Sequence, residues 1–159
     1  MDNIAENFDN KITIQKLDEK TDMKVFEALS DLDKKCVGAE GWSAESFRSE
    51  AQKENGIVIC AHEDSRIIGL ICGFFAADEA EITSVAVDDN YRRRGIGDRL
   101  MKAFTECLPQ STISIFLEVR ESNSPAVSLY EKHGFASVGM RKNFYCDPVE
   151  NAILMKKEC

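Results

Sequence analysis

Hydrophobic and polar positions along the chain alternate with two different periods. In residues 11–17, Ile12 and Ile14 are separated by polar neighbours, the period of two expected of a strand. In residues 22–35, Val25, Leu29 and Leu32 recur at helical intervals with Phe26 beside them. Ser43 follows Trp42 and predicts an N-cap for a second helix over residues 44–53, with Glu45 in the first turn suiting the dipole. The full capping box is absent, because Ser46 holds the place of its Glu or Gln. Two apolar runs, 57–61 and 67–75, are joined by Glu63-Asp64-Ser65 and predict a hairpin. Residues 81–87 predict another strand. Residues 95–108 place Ile96, Leu100, Met101, Phe104, Cys107 and Leu108 on one side of an amphipathic helix. Residues 113–119 are rich in β-branched and aromatic side chains and predict a strand. Ser124 as cap and Pro125 in the first turn open a last helix that Gly134 ends, with Phe135 anchoring its cap. Two further strands are predicted near 136–141 and 152–156.

The order β-α-α-β-β-β-α-β-α-β-β predicts an α+β fold, with helices on the faces of a largely antiparallel sheet. The crossover from 81–87 through a helix to 113–119 makes one parallel unit. With no linker, repeat or low-complexity tract, the 159 residues read as one domain, residues 1–10 being a loose polar arm. Six cysteines form no CxxC pair and no metal-ligand spacing with histidine, so no metal site is expected. No apolar run is long enough for a membrane span, and the N-terminus has no signal-peptide pattern. Reduced thiols and a cytoplasmic location are the expectation. The net charge of −8 disfavours nucleic acid as a partner and suits a cationic substrate such as an amine or basic peptide.

Candidate chemistry starts at Val85-Ala86-Val87-Asp88-Asp89-Asn90-Tyr91-Arg92-Arg93-Arg94-Gly95-Ile96-Gly97. A strand runs into a turn carrying arginines and two glycines, and a helix begins. Glycines let the backbone approach a ligand, and the free N–H groups of Arg94 to Asp98 at a helix N-terminus suit a phosphate or pyrophosphate. Arginines add charge-assisted hydrogen bonds. There is no GxxxxGK[ST], and the dinucleotide fingerprint lacks its third glycine. On these residues alone, a solvated basic turn before an ordinary helix explains the segment equally well.

Downstream, Glu118 shares a strand face with Ser114 and Phe116, while Ile113, Ile115, Leu117 and Val119 share the other. It is a candidate general base near the C-terminal end of a parallel strand, where such sheets open to ligands. The alternative is a surface glutamate paired with a lysine. Tyr130 shares a helix face with Ala126 and His133 and is a candidate proton donor; the alternative is a packed core tyrosine. His62 and His133 read as structural.

The Arg92, Gly95 and Gly97 pattern after a hydrophobic strand resembles motif A of the GNAT superfamily of N-acetyltransferases, [Q/R]-x-x-G-x-[G/A]. Phe116-Leu117-Glu118-Val119-Arg120-Glu121-Ser122-Asn123, then Ala126, Leu129-Tyr130 and Gly134-Phe135, resemble the LEVRxSNxxAxxLYxxxGF stretch of the RimI branch. Arg141-Lys142-Asn143-Phe144-Tyr145 is similar to its R-x-N-Y-Y tail, and Trp42-Ser43 to its W-S opening of the second helix. The resemblance implies a GNAT fold, a mixed and mostly antiparallel sheet of six to seven strands with about four helices. It implies acetyl-coenzyme A as co-substrate, with Val85, Ala86 and Val87 on the pantetheine arm. Arg92, Arg93, Arg94, Gly95, Ile96, Gly97 and Asp98 would lie at the pyrophosphate, and Asn123 against the coenzyme. It implies Glu118 as base and Tyr130 as acid; the oxyanion is expected at a backbone N–H, that of Val87, where the strand separates from its neighbour. Asp98 departs from the arginine or lysine frequent in the family, and Phe144 from a tyrosine. The implied activity is acetylation of a peptide or protein N-terminal amine, as on the N-terminal alanine of a small-subunit ribosomal protein. A small-molecule amine as acceptor, and a coenzyme-A-binding module without turnover, are the alternatives.

Overall fold

The computed structural model describes residues 11–159, so the arm expected over residues 1–10 lies outside the described residues. In chain order the elements are β1 Ile12–Lys16, α1 Met23–Val37, α2 Ala44–Gln52, β2 Gly56–Glu63, β3 Arg66–Ala76, β4 Glu79–Val87, α3 Ile96–Glu106, β5 Ser114–Arg120, α4 Ser124–Lys132, β6 Ala136–Cys146 and β7 Val149–Glu158. Single 3-10 turns at Gly38–Glu40 and Asp89–Tyr91 join them. The order is the one the periodicity predicts, and β6 and β7 extend beyond the predicted 136–141 and 152–156. The seven strands form one sheet in the order β1-β2-β3-β4-β5-β7-β6, antiparallel throughout except for the β4–β5 pair.

Alternation along the strands feeds two cores, one on each face of the sheet. On one face Phe26, Leu29 and Leu32 of α1 and Phe47 of α2 pack on Val58, Cys60, Leu70, Cys72 and Ala86. On the other, Ile96, Leu100, Met101 and Phe104 of α3 join Tyr130, Phe135 and Ile57, Ile59, Ile82, Ile115 and Leu117. Cys60 and Cys72 behave as small hydrophobes, their thiols pushed up to about 11 and about 12 by burial, and all six cysteines are free.

Two local expectations are corrected. The last helix is capped by Asn123, not Ser124: its side-chain oxygen accepts from the Ala126 N–H at 3.3 Å, and Ser124 is the first helical residue. Ile113 precedes β5, whose first residue is Ser114, and is 54% exposed, so it does not join Ile115, Leu117 and Val119 in the core. The strand after Gly134 is an edge strand whose residues are almost all exposed. Gly134 itself behaves as predicted: at φ 92 it lets Phe135 N–H reach Tyr130 O at 3.0 Å and Gly134 N–H reach Glu131 O at 3.1 Å.

One irregularity positions everything that follows. Opposite β3, the β4 register jumps from Ser84 to Ile82, leaving Thr83 as a bulge. The bulge inverts the alternation of β4. Ala80 and Ile82 point to the α3 side, whereas Ser84 and Ala86 point to α1. Gly73 makes this possible, since a Cβ there would run into the Glu81 carbonyl and the Phe104 ring.

Candidate active site

Parallel pairing of β4 with β5 covers Glu79↔Ser114 to Ile82↔Leu117 and then stops, although β4 continues to Val87 and β5 to Arg120. The two strands diverge beyond the bulge and leave a gap in the sheet. Asp88 N–H donates to Ile68 O at 2.8 Å. By the alternation of an antiparallel ladder, Ala86 then bonds Leu70, while Val85 and Val87 turn their N–H groups away from β3 into the gap. Ala86, expected beside them as a contact, instead has its backbone taken by β3 and its methyl in the core at 4% exposure. A cavity of about 200 Å³ fills the gap, bounded by Ser84, Val85, Glu118, Asn123, Tyr130 and Tyr145 among others.

At the end of β4 the chain enters the arginine–glycine turn. Helices α1, α2 and α4 each have a side-chain N-cap, but α3 has none. Gly95 is its N-cap residue, at φ 74 with nothing within 4 Å of where a Cβ would sit. The first helical bond runs from Arg99 N–H to Gly95 O. The N–H groups of Ile96, Gly97 and Asp98 are therefore left for an anion.

The two glycines do different jobs. A Cβ on Gly97 would stand 3.0 Å from Leu129 Cδ2, so Gly97 serves close packing of α3 on α4 rather than open approach to a ligand. Ile96 is 1% exposed and anchors the helix in the core. Asp98 sends its carboxylate to α4, accepting from Lys132 Nζ at 3.0 Å and lying 2.8 Å from His133 Nε2. Hydrogen bonds from His133, then Lys132, hold it below the usual aspartate range. Arg92 folds back on Asp89 at 3.0 Å, and Arg94 lies 5.0 Å above the Tyr91 ring. Arg93 has φ 64. His133 is the C-cap of α4, and His62 Nδ1 lies 2.8 Å from Asp64 O, in keeping with structural roles.

Glu118 and Tyr130 meet the gap from opposite faces of the sheet. Glu118 lies on the α1 face with its side chain 18% exposed, and its Oε1 is 3.2 Å from Arg141 Nε. The partner is thus an arginine rather than the lysine considered above. Tyr130, on α4, is 7% exposed and stacks edge-on with Phe135 at 6.0 Å. Its hydroxyl has no hydrogen-bond partner among the described residues and borders the cavity. Burial holds the phenol above the ordinary tyrosine range.

The rim contains residues that sequence reasoning left without a role. Arg120 donates to Pro148 O, Asp147 O, Glu150 and Glu40 at 3.0–3.2 Å and lies 4.2 Å over the Tyr145 ring. Glu40 also accepts from Cys146 N–H at 3.0 Å, so the α1–α2 loop is tied to the β6–β7 hairpin across the mouth of the gap. Burial, with the charge of Glu118 adding, pushes Tyr145 up to about 12. Asp33, 1% exposed, accepts from Ser84 Oγ at 2.6 Å and Trp42 N–H at 2.7 Å, joining the bulged strand to the loop. Its signal was present in the sequence, since Asp33 falls on the apolar face with Phe26 and Leu29. Arg120 offered none, because the hairpin that meets it is remote in sequence.

Comparison with known proteins gives the family. A putative ribosomal protein bS18-alanine N-acetyltransferase of Bacillus subtilis (strain 168) is 33% identical over 116 residues, 72% of this chain and 77% of that protein. The crystal structure of the ribosomal-protein-S18-alanine N-acetyltransferase from Escherichia coli superposes with TM-score 0.76 at 27% identity, covering 92% of this chain and 93% of that one. A GNAT family acetyltransferase from Elizabethkingia anophelis, solved with acetyl-CoA bound, shares the fold at TM-score 0.72 and 22% identity, over 94% and 99% of the two chains. The profile of the acetyltransferase (GNAT) family matches residues 25–135, the span that contains the bulged strand, the glycine turn, Glu118 and Tyr130, and the chain belongs to that family.

Proposed function

We propose that the chain transfers the acetyl group of acetyl-coenzyme A to the N-terminal amine of a peptide or protein, with the N-terminal alanine of a ribosomal protein as the leading candidate acceptor. The observation that carries this reading is the gap between β4 and β5, met by Glu118 from one face and Tyr130 from the other, with Val85 on its wall. The Escherichia coli neighbour is a ribosomal-protein-S18-alanine N-acetyltransferase and the Bacillus subtilis relative a putative one, and their similarity supports the same class of acceptor.

The coenzyme supplies an activated acetyl thioester. In this reading the Val85 N–H hydrogen-bonds its pantetheine arm, with Ala86 packing beneath and the Val87 N–H kept for the acetyl carbonyl. Gly95 and the uncapped N–H groups of Ile96, Gly97 and Asp98 face its pyrophosphate, with Arg92, Arg93 and Arg94 supplying positive charge. Asn123 borders the same cavity. Glu118 accepts a proton from the acceptor ammonium as its nitrogen bonds to the carbonyl carbon. The Val87 N–H stabilises the negative charge on the carbonyl oxygen. As the C–S bond breaks, the Tyr130 hydroxyl donates to the departing sulfur. A phenol held above its usual range stays protonated, so it acts first as a hydrogen-bond donor to the thiolate. Six free cysteines fit a reducing cytoplasmic setting.

Incubation with acetyl-coenzyme A and a panel of alanine-starting peptides, read by mass spectrometry, gives acetylation on the α-amine. Glu118→Gln lowers kcat by about 100-fold or more under the same conditions. Turnover of polyamines or amino sugars with the peptides untouched refutes the proposed acceptor. Coenzyme binding without turnover of any amine refutes the enzyme mechanism.

A further inference from the structure

Glu118 reaches a second cavity besides the gap. On its own face of the sheet the α1–α2 layer packs on the β1–β4 side, and a groove of about 350 Å³ extends over β4, β5 and β7. Phe74, Phe116 and Leu154 wall this groove, and Glu81, Glu118 and Arg141 edge it. Strand register fixes the two carboxylates. Glu81 sits opposite Phe116, and Glu118 is two residues further along β5, one same-face repeat of roughly 7 Å.

Arg141 reaches in from β6 with its side chain 57% exposed and bonds Glu118. Glu81 is half-buried and makes no ion pair among the described residues. Burial and the charge of Glu118 raise its carboxyl above the usual range, while Arg141 pulls it down, so the guanidinium already acts on both groups. Glu79, at the outer end, is exposed.

The half-buried part of the empty groove holds two carboxylates and one guanidinium, and the Lys156 ammonium over Phe116 is offset by Glu158 at 3.0 Å. One incoming ammonium offsets the remaining negative charge, but it needs the place at Glu118 that Arg141 occupies. We infer that Glu81 is a positioning residue that receives Arg141 when the acceptor's ammonium displaces that guanidinium from Glu118. The inference rests on the reading of Glu118 as the acceptor's base. Arg141 suits such a move because its stem is long, its head is solvated, and both carboxylates border the same groove. Without Glu81, the displaced guanidinium keeps the Phe144 ring 5.7 Å away but has no second half-buried carboxylate in the groove, and it competes with the acceptor for Glu118.

The test is a double-mutant cycle with Glu81→Gln and Arg141→Gln, measuring acceptor KM, kcat and coenzyme KM on an alanine-starting peptide. Glu81→Gln raises acceptor KM about threefold to fivefold, a size that a part-exposed charge pair supports, with kcat and coenzyme KM unchanged. Arg141→Gln removes the competitor, so acceptor KM does not rise, and in that background Glu81→Gln has no effect. Glu81→Asp recovers most of the loss, which also guards against a folding defect. An unchanged KM in Glu81→Gln overturns the inference. An equal rise in the Arg141→Gln background overturns it too, because Glu81 would then act on the acceptor directly. If Glu118→Gln keeps wild-type turnover, the base assignment itself fails; if it is inactive and Glu81→Gln is silent, only the inference fails.

Discussion

Gly73→Ala tests the link between the fold and the gap. A Cβ at this position would sit far inside contact of the Glu81 carbonyl oxygen, and 2.7 and 2.8 Å from two ring carbons of Phe104. Carbon atoms pack at 3.5 Å or more, so the ring would need to retreat about 0.8 Å. Phe104 is 0% exposed within the α3 core. The carbonyl belongs to β4 two residues before the bulge, so it cannot move without dragging Thr83. Overpacking of this kind costs about 3 kcal/mol, and replacing a strand glycine returns about 1 kcal/mol. The net loss of about 2 kcal/mol lowers Tm by roughly 4–8 °C for a chain of this size. Thermal and urea melts followed by circular dichroism measure the stability, and calorimetry with acetyl-coenzyme A reads the gap through Val85 and Val87. Coenzyme affinity falls together with stability. Gly139→Ala is the control, since nothing lies within 4 Å of its Cβ position, and its Tm stays within about 1 °C of wild type. A Gly73→Ala protein that melts like wild type and binds coenzyme equally well refutes the account of the bulge.

Gly95→Ala places a side chain at φ 74, costing about 1–2 kcal/mol of stability and distorting the anion-binding turn, so coenzyme Kd by calorimetry rises. Gly97→Ala crowds Leu129, and Leu129→Ala added to it relieves that crowding, a coupling read by melts of the two single variants and the double. Tyr130→Phe keeps the stacking on Phe135 and removes only the hydroxyl, so kcat falls while Tm and coenzyme Kd hold steady; an equal loss in Kd points instead to a binding role. Asp88 is held below the usual aspartate range chiefly by the Asn90 N–H, with Lys35 and Arg66 assisting. Its contribution is fully present above the unfolded value near 3.8 and is lost as pH falls through the lower folded value. Urea melts across that acid range show a shallower pH dependence in Asp88→Asn.

The element order, the two-faced helices and the glycine turn were determined by local sequence, because periodicity and capping act within a few residues. Val25, Leu29 and Leu32, the Ser43 cap and the Gly134 stop each report on the turn of chain that contains them. Glu118 and Tyr130 were legible as candidates, but the alternative for each, a surface glutamate and a packed tyrosine, fitted the same local pattern. Tertiary structure decided what the local pattern left open. It brought an N-cap asparagine, a bulged strand and a parallel partner together so that the two side chains border one gap from opposite faces. It gave Gly97 to helix packing and left Gly95 open to a ligand, although both glycines look alike in the motif. It also assembled the Arg120 clamp and the Glu81–Arg141–Glu118 groove from residues 20 to 80 positions apart. Such contacts depend on strand register and on the divergence of two strands, which are properties of the whole sheet and leave no periodic signal along the chain.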